Sequence, residues 1–143
     1  AFIMAINIDK KIKNTEEVII GGKTRNIVFN DEFNRKVSDL ELTIGKTVKS
    51  IKDLDDDVAE NMTLDEQKSL IKTKINEIAK AAMGFFDEQF GKDTGREIYD
   101  YYHQSSDALA IVVSQLKDLS DNMLINHKNA IKGKKKSHYT NNK

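Results

Sequence analysis

The segment Val18-Ile19-Ile20-Gly21-Gly22-Lys23-Thr24-Arg25-Asn26-Ile27-Val28-Phe29 joins two apolar arms through a pair of glycines. β-Branched residues suit a pleated, half-buried strand, and adjacent glycines supply the positive φ angles of a tight turn. The segment therefore predicts an antiparallel hairpin. Upstream, Ile6-Asn7-Ile8 alternates and could add a third strand. Two or three short strands are marginal alone in water, so this sheet must pack on a helix or on a neighbouring subunit.

Downstream the pattern turns helical. Asn30 or Asp31 caps a first helix whose apolar residues Phe33, Val37, Leu40, Ile44, Val48 and Ile51 recur on one face. The acidic run Asp53-Leu54-Asp55-Asp56-Asp57 ends it, because acids at a helix C-terminus oppose the dipole. Thr63-Leu64-Asp65-Glu66 has capping-box spacing and starts a second helix, with Ile71, Ile75, Ile78, Ala82 and Phe85 or Phe86 as its buried stripe. Beyond a loop at Gly91 to Gly95, the residues Ile98, Tyr102, Ser105, Leu109, Val112, Leu116, Leu119 and Met123 alternate spacings of four and three. That is the seam of one long third helix, interrupted only by Ser105. The expected fold is α+β, mainly α: an N-terminal hairpin of two or three strands packed on three long helices.

Composition narrows the function classes. At 143 residues the chain fits one domain, able to bury roughly 70% of its unfolded surface without staples. There is no cysteine, which removes disulfides, thiolate metal sites and cysteine nucleophiles, and no proline to interrupt helices. No run is apolar enough to span a bilayer, and Ala1-Phe2-Ile3-Met4 is too short for a signal peptide. A cytoplasmic setting without membrane contact is expected. Residues 1–14 read as an arm, either an edge strand or partly the remnant of a cloning vector (Ala1 to Ile3), and 15–127 as the single domain. The zero net charge hides an asymmetry: residues 1–121 carry six more acids than Lys and Arg, whereas 122–143 hold six lysines and no acid. The end, 128–143, is expected to be a disordered basic tail bearing Lys128, Lys132, Lys134, Lys135 and Lys136.

Candidate catalytic and metal motifs fail at named positions. Gly22-Lys23-Thr24 ends like a phosphate-binding loop, but Glu17 stands where that loop needs glycine, and the segment leads into a strand rather than a helix. A calcium loop begun at Asp53 would place Val58 and Leu64 where glycine and glutamate are required. His103, His127 and His138 lie too far apart for a ligand pair on one helix face. No enzyme, cofactor or metal is expected; the chain reads as a protein that binds proteins.

The binding residues expected are Val18 and Ile20 on the hairpin edge, and Leu109, Val112, Leu116 and Leu119 on the seam. Tyr99 and Tyr101 are anchors unless they pack in the core. The lysine tail has three readings: a solvated end, a contact with an acidic partner or the acidic body of another copy, or a nucleic-acid contact. The last is weakened by the absence of arginine there.

The order of elements, with Ile27-Val28-Phe29-Asn30-Asp31-Glu32-Phe33, Met83-Gly84-Phe85-Phe86-Asp87-Glu88-Gln89-Phe90-Gly91 and Thr94-Gly95-Arg96-Glu97-Ile98-Tyr99, resembles the small tail assembly chaperones of long-tailed phages and prophages of Gram-positive bacteria. The likeness runs over about residues 15 to 125. It implies a non-catalytic homo-oligomer that coats the helical tape-measure protein until tail-tube subunits polymerise and displace it. It also implies that Lys134-Lys135-Lys136 could mark an adenine-rich frameshift site leading to a longer product. The alternatives are a minor tail or connector protein of the virion, and a small nucleic-acid-binding regulator using the lysines.

Overall fold

In a computed structural model of the chain, which describes residues 4–55 and 61–140 with side chains of the last helix given through Lys132, the glycine pair makes the expected turn. Gly21 and Gly22 sit at φ 62° and 76°, joining strand β1 (Thr15–Ile20) to strand β2 (Lys23–Val28). The strands are antiparallel, with Thr15 opposite Val28 and Ile20 opposite Lys23. Ile20, Ile27 and Phe29 face the core while Ile19 and Val28 face solvent, the alternation a half-buried sheet requires.

The possible third strand does not form: the sheet has two strands among the described residues. Around Ile6-Asn7-Ile8 the backbone bonds locally instead. The Lys10 N–H donates to Asn7 Oδ1 and the Lys11 N–H to the Ile8 carbonyl, closing a 3-10 turn at Asp9–Lys11. Such local bonds compete with strand pairing. Ala1 to Ile3 lie outside the described residues.

Helix α1 (Asp31–Asp55) is capped by Asn30, whose Oδ1 accepts the Phe33 N–H at 2.8 Å. Helix α2 (Leu64–Phe90) is capped by Thr63, whose hydroxyl accepts the Glu66 N–H at 3.1 Å. The two run antiparallel. Lys36 Nζ meets Glu88 Oε2 at one level (2.9 Å), and Gln67 Nε2 donates to the Leu54 carbonyl at the other (2.6 Å). The acidic run is therefore only partly a linker: Leu54 is buried inside it, and Asp56, Asp57 and Val58 lie outside the described residues. Phe29, Phe33, Phe85, Phe86 and Phe90 form a continuous aromatic row, with ring centroids 5.2 to 6.3 Å apart, that ties the end of β2 to α1 and α2. Each such pair contributes about 0.5–1.5 kcal/mol beyond its buried area.

The expected single long third helix is two helices, α3 (Thr94–Tyr101) and α4 (Ser106–Thr140), which makes four α-helices among the described residues. His103 and Gln104 between them adopt φ 59° and 58°. Ser105 is the N-cap of α4 rather than a flaw in a seam: its hydroxyl accepts the Ala108 N–H at 3.1 Å. α3 turns back along α2 so closely that Gly95 rests on the Met83 backbone, and α4 fills the remaining side of the core with Leu109, Val113 and Leu116. Near the far end of that contact the Ser120 hydroxyl, itself buried, hydrogen-bonds to Asn34 Oδ1 of α1.

Two parts project beyond this core. At one end the distal halves of α1 and α2 extend past the start of α4, so Val48 and Ile75, expected to be buried, remain 43% and 41% exposed. At the other end α4 continues helical through Thr140, where a disordered tail was expected from residue 128. Lysine and alanine favour helix, no proline stops it, and cations suit a helix C-terminus. Residues 141–143 lie outside the described residues.

Candidate functional site

The hairpin is fastened to α3 by groups distant in sequence. The Gly21 N–H donates to Tyr102 Oη at 3.1 Å, and Tyr101 packs over Gly22. Arg25, its side chain only 10% exposed, donates through Nε to the Ile20 carbonyl at 3.0 Å and stacks its guanidinium over Phe90 at 5.4 Å. Its Nη2 lies 3.8 Å from Glu97 Oε1, beyond hydrogen-bond reach, and has no hydrogen-bond partner. Glu97 instead pairs with Lys23, whose hydrogen bond holds the carboxyl below the usual carboxylate range. This cluster closes the fold, its charged groups converging on one another.

The expected binding residues are dispersed. Leu109 and Leu116 are buried in the chain's own core, as is Ile20. Val112, Leu119 and Val18 are half-buried against it. Tyr99 is half-buried, with the Arg96 guanidinium 5.8 Å above its ring, whereas Tyr101 is exposed and meets Tyr102 edge to face at 5.1 Å. Lys128 and Lys132 are exposed on α4; the side chains of Lys134, Lys135 and Lys136 lie outside the described residues. The seam thus serves mainly to hold the monomer together, and only its lower edge reaches the surface.

There, Phe29, Leu119 and Met123 line a groove of about 200 Å³ between the hairpin base and α4, rimmed by Lys13, Glu16, Asn122 and Asn126. It leads onto the projecting part of α4, where Leu124, Ile125 and Ile131 are exposed beside Lys128 and Lys132. Of the expected binding residues, Leu119 of the seam lines this groove, whereas Val18 and Ile20, expected on the hairpin edge, do not.

A second cleft, of about 360 Å³, was not anticipated. Val48, Ile51, Ile75 and Ile78 form its apolar floor, and Ser105, Ser106 and Asp107 close one side. The sequence signal for it was the Ser105-Ser106-Asp107 start of α4: a helix beginning there cannot cover Val48 and Ile75. Among the described residues no group of three or more His, Cys, Asp or Glu side chains is placed to hold a metal, and no helix is long and apolar enough to cross a membrane. Neither family models, nor curated proteins, nor solved structures give a match to the chain.

Proposed function

We propose that this protein is a non-catalytic tail assembly chaperone of a phage or prophage, acting in the host cytoplasm by holding amphipathic helices of a tape-measure protein until tail-tube subunits replace it. The observation that carries the reading is the apolar surface of α4, which outruns the core. Leu119 and Met123 are half-buried at the groove, and beyond it Leu124 and Ile131, seven residues apart on a neighbouring face, and Ile125 are exposed. Isolated helices gain most of their stability from packing an apolar face, so a projecting one of this kind suits a second helix. A helix-in-groove contact would bury Met123 with Leu124 and Ile131, and Lys128 and Lys132 are exposed on the same helix to meet acidic flanks. The resemblance of the segments at Ile27 to Phe33, Met83 to Gly91 and Thr94 to Tyr99 supplies the identity of that helix.

The test is co-expression with the tape-measure protein that this reading places downstream of the gene, followed by size-exclusion chromatography. A co-eluting complex that Met123→Asp and Leu124→Asp abolish, and that added tube protein dissociates, is the expected result. A chain that ignores the helical protein, or is found in finished particles, refutes the reading.

A further inference from the structure

Each copy of the chain carries two uncovered apolar features at opposite ends. One is the arm before β1, in which Met4, Ile6, Ile8 and Ile12 are 88%, 79%, 63% and 58% exposed. The other is the cleft floored by Val48, Ile51, Ile75 and Ile78. Among the described residues, four large hydrophobic side chains in a nine-residue segment stand exposed, and the apolar floor of the cleft is left partly open.

The geometry decides whether the two can meet within one molecule. The arm leaves the core at Lys13, whose carbonyl oxygen pairs with His127 Nε2 at 3.3 Å, so its root lies at the far end of α4's packed length. The cleft lies at the near end, against Ser105 to Asp107. At 1.5 Å rise per residue, Ser105 and His127 stand about 33 Å apart along α4. A fully extended chain covers at most about 3.6 Å per residue, so Ile8 reaches about 18 Å from Lys13 and Ile6 about 25 Å. Ile12 sits at the root itself. Met4, nine residues out, falls just short at about 32 Å, and none of the three isoleucines reaches the cleft of its own chain.

We propose that the arm of one copy docks in the cleft of a second copy, placing Ile6 and Ile8 against Val48 and Ile75. Docking opens the turn at Asp9–Lys11 into an extended segment, in which residues two apart point to the same side, so Ile6 and Ile8 enter together while Asn7 faces out. Because arm and cleft are different surfaces, the contact is head to tail. Every docked pair still offers one free arm and one free cleft, so assembly continues until a ring closes or material runs out. The cleft lies at the opposite end of the molecule from the α4 groove, whereas the arm leaves beside that groove, at Lys13.

The test uses the full chain alone, with no partner present, and therefore fails or succeeds separately from the tape-measure reading. Analytical ultracentrifugation should show a mass that rises with concentration. The triple variant Ile6→Ser/Ile8→Ser/Ile12→Ser, lacking an apolar arm, and Ile75→Asp, with a blocked cleft, should each be monomeric with unchanged helical circular dichroism. Mixed in equal amounts they should form a dimer and nothing larger, since only one arm and one cleft remain functional. A monomeric parent chain, either variant retaining the parent's assembly, or a mixture that stays monomeric would overturn the proposal. Should Ile75→Asp fold poorly, the cysteine-free sequence allows a second measurement: Ile8→Cys in one copy and Ile75→Cys in another should give a disulfide-linked dimer on mixing that exceeds what either forms alone. Equal or no cross-linking in the mixture also overturns it.

Discussion

Replacing Gly95 by alanine adds one methyl group at the closest approach of two helices. The new Cβ would lie 2.2 Å from the Met83 carbonyl oxygen and 2.7 Å from the Met83 Cα and carbonyl carbon, whereas ordinary contact begins at 3.4 Å. Both sides of the clash are helix backbone, so no side chain can swing aside and α3 must retreat from α2 by about 1 Å. α3 does not move alone. Ile98 and Thr94 are buried on it, and the Gly21 turn rests on Ile98. Overpacking of this kind costs about 3 kcal/mol, the upper part of its usual range. For a chain of this size that lowers Tm by about 12 °C. Gly84→Ala is the control. It lies mid-helix with nothing within 4 Å of its added Cβ, and should gain about 1 kcal/mol of helix propensity and raise Tm by about 4 °C. Thermal and urea unfolding of both variants, followed by circular dichroism, measures the opposed shifts. A Gly95→Ala protein melting at or above the parent would show that α3 does not pack on α2 through Gly95.

Three further outcomes are expected. Tyr102→Phe removes the acceptor for the Gly21 N–H at the hairpin turn and should cost about 1–2 kcal/mol by urea titration. Leu116→Asp places a carboxylate at a position only 2% exposed, and should leave the chain unfolded or expanded by circular dichroism and sedimentation. The Glu97 carboxyl is held below its ordinary value by Lys23, so its contribution is present above the unfolded carboxylate range, about pH 4.3, and is lost as pH falls through the lower folded value. Melting curves between about pH 5 and pH 3 should therefore fall less steeply for Glu97→Gln than for the parent.

The parts of the fold that were legible in the sequence are those set by bonds between near neighbours. Asn30 and Thr63 reach N–H groups three residues on, and the Gly21-Gly22 turn closes strands that adjoin it, so residue type and spacing sufficed. The break after Tyr101 was not legible, because the heptad spacing from Ile98 to Met123 happens to run on unchanged across it. Left-handed backbone at His103 and Gln104 is uncommon for non-glycine residues and is held here by surrounding bonds. The Gln104 N–H donates to the Tyr99 carbonyl, Gln104 Nε2 to Asp100, and Tyr102 anchors to the hairpin 81 residues away. Once that break is missed, the cleft is missed as well. The same stripe logic that correctly buries Val37 and Ile78 also assigns Val48 and Ile75 to a core that α4 begins too late to provide.

The hydrogen bond between Ser120 and Asn34 has a consequence for how the helices find their alignment. Apolar stripes repeating every three or four residues offer nearly equivalent packings one helical turn apart, a slip of about 5.4 Å. Leu109, Leu116 and their neighbours would tolerate such a slip far better than a hydroxyl enclosed on all sides. Only in the observed alignment does the Ser120 oxygen, 4% exposed, find an amide oxygen waiting for its proton. Moved by a turn along α1, it would lose Asn34 and face either Ser38 or Asn30, whose amide oxygen is already taken by the Phe33 N–H. One small polar pair thereby acts as an index mark of the bundle.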